Sequence, residues 1–87
     1  EIDVERLKNE IVALPEVASI HDLHLWSLDG QRNVSTLHAV TVAPLDTEAQ
    51  IALKRKIRFI CEQNGIEHAT IELETTGEDC GLTHCWH

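Results

Sequence analysis

His21-Asp22-Leu23-His24-Leu25-Trp26-Ser27-Leu28, followed at once by Asp29-Gly30, is the stretch that decides the fold. Two imidazoles, a carboxylate and an indole lie on an otherwise apolar segment, so its polar residues need a reason to be there. Asp-Gly between apolar runs predicts a tight type I′ hairpin turn. The strand it closes is predicted over residues 17–28, with a partner over 34–43. If Leu28 pairs with Gln31, His21 lies directly opposite His38. Opposed residues have Cβ atoms roughly 4.5–5.5 Å apart, close enough for two imidazoles to share one ion. A loop longer by two residues would keep both histidines on one face, because the side-chain period is two. A one-residue bulge would separate them.

Both faces of this hairpin are apolar. One is expected to carry Leu23, Leu25, Val34, Val40 and Val42 beside the two histidines. The other would carry Ile20, Trp26, Leu28, Leu37 and Ala39 beside Asp22 and His24. A helix is predicted over residues 3–14, with Asp3 as N-cap and Val4, Leu7, Ile11 and Leu14 at helical spacing, until Pro15 stops it. A second helix is expected to open on Thr47 and Gln50, which have capping-box spacing, and to stop at Asn64-Gly65. Its apolar stripe is Ala49, Leu53, Ile57, Ile60 and Cys61. Residues 68–74 alternate cleanly: Ala69, Ile71 and Leu73 point one way, and His68, Thr70, Glu72 and Glu74 the other. The order helix, strand, strand, helix, strand predicts an α+β sandwich of ferredoxin-like kind, with a three-stranded sheet and two helices on one face. Two helices cover one sheet face; the other must bury itself elsewhere, most simply against a second copy.

A chain of 87 residues allows one small domain, here residues 1–75, with residues 76–87 as a Cys/His-rich tail. The net charge of −8 argues against a nucleic-acid partner, which needs a basic face. Lys54, Arg55, Lys56 and Arg58 hold four of the seven basic residues, a run that reads as a solvated face or a contact with lipid headgroups or an acidic partner. Three cysteines without a regular framework argue against a disulfide-stapled secreted domain. The chain has no Met and starts at Glu1, so a fragment or processed product is expected, with any membrane part outside it.

Three places carry metal-ligating side chains. His21 and His38 form the first, and Glu72 or Glu74 could complete a tetrahedral set of nitrogen and oxygen donors for Zn²⁺. The second is Cys80, His84, Cys85 and His87, whose cysteines stand further apart than in the common zinc pair. The third is Asp22 with His24, expected opposite His21, where Asp22 would accept a hydrogen bond. Cys61 falls on the helix stripe and reads as core. No nucleophile sits on a recognisable elbow and no glycine-rich loop cradles phosphate, so an enzyme is a poor fit.

HDLHLWSL, STLHAVTV and EHATIELE, in that order and spacing, resemble the cytoplasmic C-terminal domain of cation diffusion facilitator transporters, nearest the CzcD-like zinc exporters. The resemblance covers essentially the whole chain. It implies a metallochaperone-like fold that forms a homodimer in the cytoplasm, attached to a membrane-embedded transporter domain in the inner or plasma membrane. That membrane part exchanges Zn²⁺ or a related divalent ion for protons, and the domain regulates it. The resemblance further implies zinc ligation by His21, His38 and Glu74, and a second site on a cysteine-bearing tail, here Cys80 and Cys85. These donors favour Zn²⁺ and also admit Co²⁺, Cd²⁺ and Ni²⁺. The competing expectation is a free-standing soluble metallochaperone that delivers metal through its tail.

Overall fold

The computed structural model describes residues 2–75. Its elements are α1 (Val4–Val12), β1 (Val17–Ser27), β2 (Asn33–Thr41), α2 (Thr47–Gln63) and β3 (His68–Thr75). β2 is central, antiparallel to β1 and parallel to β3. This is the expected α+β sandwich. The tail cysteines Cys80 and Cys85, with His84 and His87, lie outside the described residues.

The helices form where capping and periodicity demand. Asp3 caps α1 by accepting from the Arg6 amide. α2 is capped by Asp46, one residue before the expected Thr47: its carboxylate accepts from the Ala49 amide at 2.8 Å. Gln50 instead donates to the Leu45 carbonyl, so the spacing that suggested a capping box is met by a different pair of bonds. α2 ends with Gly65 at φ +88°, the left-handed conformation that glycine adopts without strain. Leu7 and Ile11 of α1 and Leu53, Ile57 and Cys61 of α2 pack against Leu37, Ala39 and Ile71 of the sheet, all buried. Burial pushes the Cys61 thiol up to about 11, so it stays a neutral core residue.

The hairpin departs from the expected register in two places that cancel, and a third irregularity falls between Val17 and Ser19 at its far end. Its loop is one residue longer, with the Leu28 amide donating to the Arg32 carbonyl and Ser27 paired with Asn33. Asp29 fixes this loop by accepting from the Gln31 and Arg32 amides. A bulge then intervenes between His21 and His24, where Asp22 and Leu23 together oppose Leu37. Beyond it His21 returns to its predicted partner, His38. Between turn and bulge, the side chains of β1 face the opposite way from expectation, whereas those of β2 do not. Leu23 and Leu25 pack against the core, whereas Trp26, expected on the face with Leu37 and Ala39, is 45% exposed on the face that no helix covers. Val42, past the end of β2, is exposed as well. β3 alternates as predicted, with Ile71 buried and Glu72 outward.

Candidate metal centre

The uncovered face of the sheet gathers imidazoles and carboxylates from all three strands. β1 supplies His21 and β2 supplies His38, their ring centroids 5.0 Å apart. Glu74, at the end of β3, is paired in register with Val40, two residues along β2 from His38 on the same face. Its side chain reaches across β2 to both rings. Oε1 lies 2.9 Å from His21 Nε2, and Oε2 lies 2.5 Å from His38 Nδ1. One carboxylate thus bridges two histidines that are remote from it in sequence. An ionised carboxylate only accepts, so both of these ring nitrogens carry protons here.

Asp22 is the fourth member. Its Oδ2 stands 3.3 Å from His21 Nδ1, the ring nitrogen that Glu74 does not use. His21, Asp22 and His38 each place a donor atom within 4.8 Å of the others. Asp22 therefore belongs to the His21 side of the site, not to a separate pair with His24. The bulge causes this: Asp22 takes φ +53°, a left-handed conformation that Asp tolerates better than most residues. His24 is also corrected. It pairs with Thr36 and shares the face of His21, which the bulge brings about. The sequence held one sign of this, since Asp is depleted in strand interiors and one placed mid-strand suggests irregularity. Glu72, directly opposite His38, comes only within 4.0 Å of its Nε2 and is mostly exposed, so Glu74 is the better placed of the two carboxylates.

The electrostatics couple these groups. The hydrogen bond to Glu74 pushes the His21 imidazole above its ordinary range; burial opposes this, and the charges of Glu74 and Asp22 add to it. For Glu74, burial works against ionisation, but the hydrogen bonds from His38 and His21 outweigh it and hold the carboxyl below the usual carboxylate range. Two imidazole nitrogens and one or two carboxylate oxygens form a donor set suited to Zn²⁺ or a similar ion of borderline softness. Tetrahedral zinc holds its donors about 3.3 Å apart, given bonds of about 2.0–2.1 Å. The contacts of Glu74 already lie inside that spacing, and the donor atoms of His21, Asp22 and His38 lie within 4.8 Å of one another. The ion would take the place of the protons now shared between the rings and Glu74.

Residues 1–76 match the family described as cation efflux protein, cytoplasmic domain. Over 86 residues the chain is 37% identical to zinc transporter ZitB of Pectobacterium atrosepticum, which covers 98% of this chain and 25% of that protein. Over 74 residues it is 36% identical to the cadmium, cobalt and zinc/H⁺-K⁺ antiporter of Bacillus subtilis, covering 85% of this chain and 24% of that protein. The metal-bound C-terminal domain of the CzcD transporter from Cupriavidus metallidurans superimposes with a TM-score of 0.68 at 30% identity, covering 84% of this chain and 99% of that one. The chain thus spans about a quarter of the length of the curated relatives it matches. No helix among the described residues is long and apolar enough to cross a membrane.

Proposed function

We propose a function from one premise: the chain belongs to the cation efflux protein family, as its cytoplasmic domain. It binds a divalent transition metal ion, Zn²⁺ first, through His21, His38 and Glu74. Asp22 accepts from Nδ1 of His21 and fixes which nitrogen of that ring faces the ion. The observation that carries this is the single Glu74 carboxylate bonded to both imidazoles on an uncovered sheet face. Cys80 and Cys85 of the tail supply a second site.

The domain is a regulatory module, not an enzyme. It works as a homodimer attached to a membrane-embedded transporter that exchanges metal for protons. Metal favours one dimer arrangement because its ligands are better placed there, and the equilibrium shifts only by that difference in affinity. The uncovered face, with Trp26 half-exposed on it, is the surface a second copy would bury.

Isothermal titration with Zn²⁺ tests the site. His21→Ala with His38→Ala should remove one bound ion per chain and leave the circular dichroism of the fold in place, since neither side chain belongs to the buried core. In a Cys80→Ser, Cys85→Ser background the same pair should abolish high-affinity binding. Unchanged stoichiometry in the histidine variant would refute the assignment.

A further inference from the structure

α2 presents a second surface that the metal site does not use. Lys54, Arg55, Lys56 and Arg58 crowd onto it in a chain with 15 acidic residues. Lys56 is bound to Glu16 at 2.5 Å. Among the described residues, Lys54, Arg55 and Arg58 make no ion pair or side-chain hydrogen bond. Helical spacing sets Ile51, Arg55, Arg58 and Phe59 on one side, away from the buried stripe of Leu53, Ile57 and Cys61, with Lys54 half-buried at the border between the two. Ile51 is 47% and Phe59 59% exposed. Phe59 also borders an open cleft of about 350 Å³, lined by Leu14, Arg55, Lys56 and Ile60. Glu48 and Glu62 stand only at the two ends of this side.

We infer that this side of α2 is a docking surface for an anionic lipid bilayer, with Arg55, Arg58 and Lys54 on the headgroups and Phe59 and Ile51 entering the interface. Unpaired cations flanking exposed apolar side chains are the pattern of helices that lie on membranes. Ile51 and Phe59 are about 12 Å apart along the helix, so the apolar contacts form a long, shallow stripe suited to a surface. The net charge of −8 does not forbid this. The domain is 22 Å across its shortest axis, and charges on its far side are screened beyond about 8 Å at physiological ionic strength. The inference rests on the proposal that the domain works attached to a membrane-embedded transporter, where tethering makes weak lipid contacts effective.

Sedimentation of the 87-residue chain with lipid vesicles tests it. Binding is expected to phosphatidylcholine vesicles containing about 30% phosphatidylserine, and not to pure phosphatidylcholine. Raising salt to about 0.5 M should abolish it. Each cation removed should weaken partitioning about fivefold, so Lys54→Gln, Arg55→Gln and Arg58→Gln together should cost about a hundredfold. Phe59→Ala should cost about tenfold while the salt dependence remains. The same variants should bind Zn²⁺ as before, and the His21→Ala, His38→Ala variant should bind vesicles as before. Equal binding to both vesicle types, or undiminished binding by the triple variant, would overturn the inference. Binding of polyglutamate without vesicle binding would overturn it in favour of an acidic protein partner. Failure on vesicles with His21- and His38-dependent zinc binding intact would remove this surface alone.

Discussion

Glu74 is the residue on which the site turns, because among the described residues it alone bonds both imidazoles. In the metal-free domain its two bonds should make stability depend on pH in a definite window. His21 is raised above its ordinary 6.5, so its contribution is complete below that value and is lost as pH rises through the folded pKa. Glu74 is lowered from 4.5, so its contribution is present above that value and is lost as pH falls through the folded pKa. Both operate together between about pH 4.5 and 6.5. Glu74→Gln keeps the shape and removes the charge. The difference in thermal midpoint between the metal-free parent and this variant should therefore be largest near pH 5.5 and shrink towards pH 8. Both groups are partly open to solvent, which screens the pair and keeps the effect modest. A difference that grows with pH would show that the His21–Glu74 pair is not formed in solution. The pairing of His21 with His38 was expected from a two-residue Asp29-Gly30 turn, but it holds for another reason: the loop is one residue longer and the bulge at Asp22 offsets it. The choice of Glu74 over Glu72 was not legible from alternation, since both point the same way from β3. It follows from how far each side chain reaches towards the rings.

At the scale of elements, the β1–β2 hairpin shows where sequence periodicity fails. Helices, strand order and the burial of β3 follow from spacing, capping and alternation. The face assignment of residues 23–28 does not, because alternation carries no mark of an inserted residue. Two one-residue departures, a longer loop and a bulge, exchange Leu23 and Leu25 for His24 and Trp26 on the uncovered face while restoring His21 to His38. A pattern of apolar residues at alternate positions on both faces reads equally well in either register. The decisive feature is backbone conformation at Asp22, φ +53°. Asp22→Asn retains tolerance of that conformation and should change folding stability by less than about 0.5 kcal/mol. Asp22→Val places a β-branched side chain there and should cost about 1–2 kcal/mol in urea denaturation, with weaker zinc binding as His21 loses its position. Asp22→Gly relaxes the backbone but removes the carboxylate, so it should keep the fold and still lower zinc affinity. If valine is accepted without loss of stability, the bulge is not held where the structure places it.

For the whole molecule, the small core would make the proposed metal binding a matter of stability. Among the described residues the buried cluster draws on few large side chains, and no aromatic belongs to it. Domains of this size are marginal on burial alone. An ion that binds only the folded state at a hundredfold over its dissociation constant adds about 2.7 kcal/mol. For a domain of this length each kcal/mol moves the thermal midpoint by about 4–8 °C. Saturating Zn²⁺ should therefore raise the midpoint by roughly 10–20 °C. The His21→Ala, His38→Ala variant should lose most of that rise, and Cys80→Ser with Cys85→Ser the remainder. If the ion also favours one dimer arrangement, the midpoint should rise with protein concentration, and more steeply with zinc than without, because assembly and binding are then linked. Sedimentation equilibrium with and without zinc checks this independently. A monomer in both conditions, with the thermal rise intact, would leave the metal site standing and remove the dimer from its mechanism. An equal rise in the parent and the histidine variant would instead place the stabilising ion elsewhere.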